Sequence, residues 1–341
     1  MMKRNFLLIG FLLASYAFVQ AQTCPQVLRL ARSTYEQGRL HELESLLKGC
    51  LEGVDFTVQE RVEAYKLLTL AYIYLEEPEK ADAAMLKLLQ TDHYFVLNKA
   101  VEPAEFQALY GTFRTTPIYR IGGKFGAIGT QPNVANSNVA NDGTSNYGYK
   151  IGVTAGAFAE IPVFKKFILN PELNFQLKNF SYTNNNGIAS TTASEAQSVL
   201  SLPVSLQYLL FNEREIAIKP YVALGVQVDY LLASAMTINT TKTSELPITE
   251  KTYDVKNQRN PLNLSAVASI GAKLPAGPGY LILEARYYYG LTKLLSAKDV
   301  YSNQFPVFDN YAVNGIFSLN SISITLGYGY NIFSPKKLTN K

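Results

Sequence analysis

The sequence predicts an α+β multidomain chain, in which α-helical hairpins are followed by an eight-stranded antiparallel transmembrane β-barrel. In the segment Leu281–Tyr289 the odd-numbered residues are apolar and end in tyrosines, whereas Glu284 and Arg286 fall on the other face. The same alternation recurs in other segments, and short turns alternate with long loops rich in Asn, Ser and Thr. A membrane barrel typically has apolar residues toward lipid, polar residues toward its lumen, and short turns that alternate with long loops.

The composition excludes a helical membrane protein. The 341 residues are 48% hydrophobic, but beyond the N-terminus there is no apolar run of the roughly 18 residues that a membrane helix needs. The net charge of +4 is dispersed along the chain. We therefore expect no nucleic-acid partner.

Residues 1–21 predict a secretory signal peptide. Lys3 and Arg4 precede an apolar core from Phe6 to Val19, and Val19-Gln20-Ala21 fits a small-x-small cleavage site. A retained membrane anchor is one alternative. A lipoprotein site at Cys24 is another, although Thr23 stands where such a site has a small residue.

Residues 23–116 predict a helical domain. Apolar residues recur at intervals of three and four from Pro25 to Leu89. Gly38 is expected to end the first helix, and Thr57-Val-Gln-Glu60 is a capping box that opens the third. A further short helix is expected within Glu102–Tyr110, where it would cap the helical stack.

Cys24 and Cys50 bracket the first predicted hairpin. Antiparallel helices bring such ends together, and an exported protein can oxidise them. We expect a disulfide that closes a loop of about 25 residues and contributes roughly 3 kcal/mol. The alternative is a pair of buried free thiols.

The segment EAYKLLTLAYIYLEEPEKADAAMLKLL resembles a tetratricopeptide repeat. Thr69 stands where that family usually has Gly, and His93 where it has the closing Pro. The resemblance implies a surface that binds peptides or proteins, while the alternative is that the helices only plug or brace the barrel. The residues at the family's packing positions are Tyr65, Leu68, Tyr72, Ala81, Met85 and Leu88.

Residues 117–333 predict the barrel, and residues 334–341 a tail. Eight strands are expected at about 117–130, 147–162, 167–183, 197–211, 216–236, 261–274, 279–292 and 316–333, each long enough to cross a bilayer at a tilt. The main alternative is a soluble lipocalin-like barrel, which would carry its apolar side chains inward. The polar face of the predicted strands carries too many charges for the dry core of a soluble barrel. Lys178 falls on the polar face of its strand, and the charges predicted to face the lumen are Glu172, Lys219, Asp229, Lys273, Glu284 and Arg286.

The connections predict the orientation of the barrel. Three are short, at 163–166, 212–215 and 275–279. The other four are long, at about 131–146, 184–196, 237–260 and 293–315. Outer-membrane barrels have short periplasmic turns and longer outside loops. We therefore expect the helical domain and the tail in the periplasm.

The sequence offers no catalytic or metal-binding constellation. Its two histidines, His41 and His93, both precede the barrel, and no Gly-x-Ser-x-Gly elbow or P-loop is present. We expect no enzyme, no cofactor and no metal. A barrel of eight strands holds little more than its own side chains, so open diffusion is not expected.

The junction EPAEFQALYGTFRTTPIYRIGGKFG and the last strand SISITLGYGYNIF complete a wider resemblance. The chain resembles outer-membrane β-barrel proteins of Bacteroidota with a PorT-like or OmpA-type barrel, which implies at most a role in type IX secretion or gliding. The predicted function is a non-enzymatic barrel in outer-membrane lipid that anchors a periplasmic adaptor for another envelope protein. The alternatives are a narrow solute channel and a surface adhesin or receptor that acts through the long loops.

Overall fold

The computed structural model describes residues 23–136, 146–185, 189–211, 218–242, 250–294 and 316–338. They form two compact units: a helical unit up to Thr116 that also takes in the residues from Phe333 onward, and a β unit at Pro117–Ile332. The predicted signal peptide and the whole of the short turn predicted at 212–215 lie outside the described residues, as do the tips of the predicted long loops.

The described part of the helical unit contains five α-helices. A 3-10 turn at Leu40–Glu42 precedes the second. The helices are α1 Cys24–Glu36, α2 Leu43–Glu52, α3 Val58–Tyr74, α4 Pro78–Thr91 and α5 Ala104–Gly111.

Local sequence signals set the helix ends. Gly38 has a φ of 77°, the left-handed conformation that stops α1. At the start of α3 the Thr57 side chain accepts a hydrogen bond from the Glu60 backbone N–H, and the Glu60 carboxylate accepts one from the Thr57 N–H. This reciprocal pair is the predicted capping box.

The C-terminal segment belongs to the helical unit. The Leu338 N–H donates to the Thr112 carbonyl at 2.7 Å, and the Arg114 N–H donates to the Lys336 carbonyl at 3.0 Å. The Phe333 ring lies 5.4 Å from the ring of His93 and 5.0 Å from that of Tyr94. The predicted tail is therefore a packed strand-like segment as far as it is described.

The β unit is a closed antiparallel ring. Its described strands are β1 Tyr119–Asn136, β2 Asn146–Pro162, β3 Phe167–Asn185, β4 Ala189–Leu209, β5 Lys219–Lys242, β6 Lys251–Asp254, β7 Leu262–Ala276, β8 Gly279–Gly290 and β9 Ile316–Ile332. The eight long strands pair in the order β4-β3-β2-β1-β9-β8-β7-β5, and β4 pairs with β5 to close the circle. The eight-stranded antiparallel prediction is confirmed.

Strands reach further into the predicted loops than the sequence indicated. β3, β4 and β5 continue into segments rich in Ser and Thr, and the short β6 pairs with β5 where a loop was predicted at 237–260. Thr has a high β propensity, and these extensions bury Tyr182, Ala193 and Ile238 on their inner face. The polar composition led the sequence prediction to end β3 and β5 too early and to begin β4 too late.

The outer face of the ring is apolar. Phe125, Leu283 and Ile324 are exposed by 64%, 53% and 60% of their surfaces. On β8 the outward apolar residues run from Leu281 to Tyr289, eight steps that span roughly 20 Å of height at a strand tilt of about 40°. That height is close to the apolar band of an outer-membrane barrel, about 25 Å.

The two ends of the ring differ. The end with the turns at 163–166 and 277–278 is called the turn end, and the opposite end is called the loop end. Among the helices that the structure describes, none is both long enough and apolar enough for a membrane span.

Candidate functional site

Charged side chains on the inner face of the ring form a buried ion network. At its centre, Arg286 on β8 donates to both Glu172 oxygens on β3, at 3.0 and 2.6 Å. Its Nε donates to Glu284 at 2.8 Å. Lys124 on β1 lies 2.7 Å from Glu172 and 3.5 Å from Glu284. Two cations and two carboxylates therefore neutralise one another across the interior.

A second cluster lies nearer the turn end. Glu160 on β2 is completely buried, 2.6 Å from Lys273 and 3.6 Å from Arg120. The Tyr280 hydroxyl donates to it at 2.8 Å, and Lys273 also donates to Gln207 at 2.7 Å. In this cluster one carboxylate forms ion pairs with two cations.

Two further pairs lie toward the loop end. Lys178 on β3 donates to Asp229 on β5 at 2.6 Å. Arg259 donates to both oxygens of Glu195, at 3.0 and 2.6 Å. Glu195 also accepts a hydrogen bond from Ser234. Arg259 thereby fixes the segment that joins β6 to β7 against β4.

Apolar side chains lie inside the ring near both ends. The cluster near the turn end is formed by Phe158, Ile168, Leu209, Tyr221, Ala223, Tyr280 and Ile282. The cluster near the loop end is formed by Phe180, Leu294 and Phe317. Between them, a cavity of about 20 Å³ lies beside Lys178 and Asp229. Among the described residues, these side chains fill much of the interior.

All six predicted lumen charges lie on the inner face. Five of them are buried, whereas Lys219 is half-buried at the start of β5 and makes no ion pair that the described residues show. The structure brings Glu172, Glu284 and Arg286 together, and it pairs Asp229 with Lys178.

Sequence reasoning missed five interior charges. Lys124 lies in a glycine-rich strand, which obscures the alternation of polar and apolar residues. Arg120 and Lys124 nevertheless stand at even-numbered positions, as the other inward residues of β1 do. Glu195 and Arg259 fell within predicted loops. The missed residues are Arg120, Lys124, Glu160, Glu195 and Arg259.

The helical unit contains the predicted disulfide. Cys24 and Cys50 are bonded, with their Cα atoms 5.6 Å apart, and they link α1 to the end of α2. Both side chains belong to the apolar core that these helices share with α3. The bond holds the first hairpin closed.

The six residues at repeat-like positions lie in the core between α3 and α4. Five of them are buried and Tyr65 is half-buried. The Tyr72 hydroxyl is hydrogen-bonded to Glu44; burial, followed by this contact, raises the pKa of Tyr72 to about 12. The same hydrogen bond, with Lys80 nearby, lowers the pKa of Glu44. These residues hold the helices together.

Within the described ranges, no group of three or more His, Cys, Asp and Glu side chains could hold a metal ion. At the centre of the interior, the charged side chains are paired with one another. Its chemistry is therefore that of a packed polar core.

A closed antiparallel ring with a lipid-facing apolar band and a charged interior defines a transmembrane β-barrel of the outer-membrane type. The family model described as outer membrane protein beta-barrel domain matches residues 119–296. This match covers more than half of the chain, so the protein belongs to that family. It is an outer-membrane protein in contact with lipid.

A comparison with curated proteins finds no match. Among solved structures, the chain is similar to Neisserial surface protein A (12% identity, 63% of this chain, 97% of that chain, TM-score 0.31). It is also similar to OprG from Pseudomonas aeruginosa (11% identity, 63% and 97% coverage, TM-score 0.33). Ail of Yersinia pestis, in complex with the heparin analogue sucrose octasulfate, has 8% identity, 62% and 99% coverage and a TM-score of 0.27. We draw no functional conclusion from these likenesses.

Proposed function

We propose that this protein is a non-enzymatic outer-membrane anchor whose filled barrel holds the helical unit in the periplasm, where that unit binds another envelope protein. The observation that carries the proposal is the filling of the barrel interior by mutually paired charges. A barrel filled in this way serves as an attachment to the membrane, which leaves the helical unit as the part available for binding.

The surface of the helical unit supports a binding role. The connection between α4 and α5 exposes Tyr94, Val96 and Val101, by 45%, 83% and 70% of their surfaces. Exposed apolar groups of this kind are typical of protein interaction sites when they occur together. The resemblance of α3 and α4 to a tetratricopeptide repeat points to the same role.

The partner is another protein of the cell envelope. The sequence resemblance to PorT-like proteins makes secretion or gliding machinery the first place to search for it. The absence of histidine from the barrel sequence supports a non-enzymatic role, because His is the commonest general acid or base.

Site-specific photocrosslinking of the full-length protein in its native host tests the proposal. A photoreactive phenylalanine analogue replaces Val96 or Val101, and the matched control carries it at Ala83, an exposed position on α4. We expect a discrete protein adduct at Val96 or Val101 that the Ala83 control lacks. No adduct, or the same adducts at all three positions, would contradict the proposal.

A further inference from the structure

The turn between β2 and β3 differs in charge from the other turn that the structure describes at this end of the ring. It contains two consecutive cations, of which Lys165 is exposed and Lys166 is half-buried. The turn between β7 and β8 has the sequence Pro-Ala-Gly-Pro-Gly at 275–279, which includes no charged residue. Positive charge on the described turns is therefore restricted to the sector of β2, β3 and β4.

Lys166 extends toward the lipid-facing side of the ring. Its Nζ lies 5.8 Å from the centroid of the Tyr208 ring. Tyr208 stands at an even-numbered position of β4, as do Val204 and Leu206, which are exposed on the outer face by 43% and 44%. The Lys166 carbonyl accepts a hydrogen bond from the Leu209 N–H at 2.9 Å, which ties the turn to β4. The ammonium group is thereby held at the edge of the apolar band, over an aromatic ring.

Aromatic rings surround this ammonium group. The Phe167 and Tyr208 rings, from paired residues of β3 and β4, have centroids 5.1 Å apart. The Phe164 ring meets Phe167 edge-on at 6.4 Å, and 72% of the Phe164 surface is exposed. Hydrogen bonds from the Val163 and Phe164 N–H groups to the Phe167 carbonyl give the turn a defined shape. Aromatic side chains in such a position lie at the level of the lipid headgroups.

The two lysines have no carboxylate partner among the described residues. The acidic residues of β2 and β3, Glu160 and Glu172, are buried in the interior and paired there. The neighbouring turn between β4 and β5, which lies outside the described residues, adds Glu213, Arg214 and Glu215 to the sequence of this sector. The two turns together therefore carry three cations and two carboxylates, and their net charge is positive.

The apolar face and the cationic turn adjoin each other, which defines the chemistry of an occupant. The outer face of β3 and β4 already meets acyl chains, so the occupant that reaches the lysines without leaving this face is a lipid. Its headgroup must offer oxygen acceptors with a net negative charge. A zwitterionic headgroup fits less well, because its own cation competes with the lysines for the phosphate.

We propose that the outer face of β3 and β4 at the turn end is a binding site for an anionic glycerophospholipid. The acyl chains lie along Leu206 and Phe167, and the phosphate accepts hydrogen bonds from Lys165 and Lys166. This site goes beyond the anchoring role and does not depend on a partner of the helical unit. The orientation proposed for the barrel decides only which leaflet supplies the lipid.

Tryptophan fluorescence in vesicles tests the site, because the chain contains no tryptophan and one introduced residue reports on the lipid beside it. Leu206→Trp places the reporter next to the site. Leu281→Trp is the matched control, since Leu281 is 43% exposed on the outer face of β8, beside the uncharged turn. Quenching by dibrominated phosphatidylglycerol and by dibrominated phosphatidylcholine gives the relative affinity of the two lipids at each reporter.

We expect a preference for phosphatidylglycerol of about tenfold at Leu206→Trp, because each lysine near a membrane surface contributes about fivefold before screening by salt. The preference at Leu281→Trp should be small. In the Leu206→Trp background, Lys166→Gln should reduce the preference by about fivefold, and Lys166→Arg should retain it. Lys251→Gln, which removes an exposed lysine from β6, should leave it unchanged.

Equal preferences at the two reporters would overturn the proposal. A preference that survives the combined replacement of Lys165 and Lys166 by Gln would also overturn it. Inorganic phosphate added at constant ionic strength distinguishes the source of the anion, since loss of the preference would indicate a free-phosphate site instead of a lipid site. Resistance to SDS without heating shows that each barrel has formed, and Val204→Trp replaces Leu206→Trp if the latter does not fold.

Discussion

Arg286 is the side chain that neutralises two carboxylates at the centre of the barrel. It makes three hydrogen bonds to Glu172 and Glu284, and if it is removed Lys124 is the one cation that the described residues leave beside these carboxylates. A buried carboxylate without its partner is costly because the interior cannot solvate it as water does.

We therefore expect Arg286→Met to destabilise the barrel by roughly 3–5 kcal/mol, the typical cost of breaking a buried ion pair. Urea unfolding and refolding in lipid vesicles measures the change. The matched control is Lys219→Met, which removes a half-buried cation from the same inner face and should cost about 1 kcal/mol or less. Equal losses in the two variants would show that the central network contributes nothing specific.

The capping box gives the helical unit a pH dependence. Hydrogen bonds from the Thr57 backbone and side chain lower the pKa of Glu60. Because the folded pKa lies below the unfolded one, Glu60 stabilises the fold above its unfolded pKa, and this stabilisation disappears as the pH falls through the folded value.

As the pH falls below about 4.5, the ordinary value for a Glu carboxyl, the Glu60→Gln variant should therefore lose less helical stability than the native chain. Thermal unfolding followed by circular dichroism at each pH measures the difference. Glu79→Gln serves as the control, since Glu79 lies in the first turn of α4 without a capping box. A pH profile for Glu60→Gln that matches the native profile would contradict this account.

At the scale of elements, the disulfide joins α1 to α2 within a small helical core. The bonded cysteines are 26 residues apart in sequence. Restriction of the unfolded chain by a loop of that length is expected to contribute roughly 3 kcal/mol.

Replacement of Cys24 and Cys50 by Ser together should lower the stability of the helical unit by about that amount and leave the barrel unchanged. Helical unfolding is followed by circular dichroism, and barrel integrity by resistance to SDS. Reduction of the native protein should reproduce the effect of the double variant. A barrel that weakens equally would show that the disulfide does not act locally.

The elements differ in how far the sequence could predict them. Thr57, Gly38 and the apolar spacing act locally, so the helices follow from the sequence. The alternation of Glu284 and Arg286 with apolar neighbours likewise fixes the face of β8. Glu195 pairs with Arg259, which lies 64 positions away in the sequence, and no local sequence pattern predicts this pair. The C-terminal strand-like segment escaped prediction for the same reason.

At the scale of the whole molecule, a ring filled by ion pairs is expected to resist the passage of solutes. Displacing the central cations would expose buried carboxylates, at a cost of several kcal/mol. Apolar clusters near both ends add to the barrier.

In planar lipid bilayers the native protein should therefore show no steady single-channel conductance in ordinary salt. The control is a variant with alanine at Lys124, Glu172, Glu284 and Arg286, in which the central network is removed and open events should appear if it folds. Steady conductance of the native protein, abolished by that replacement, would favour the narrow channel over the anchor.

The return of the last residues to the helical unit has a consequence for biogenesis. A ribosome releases Leu338 only after β9 has been made, so the helices cannot gain this segment earlier in synthesis. A truncated polypeptide that stops before β9 would lack that segment however well its own helices form. An affinity tag inserted directly after Leu338 would adjoin this packed segment and is expected to disturb it.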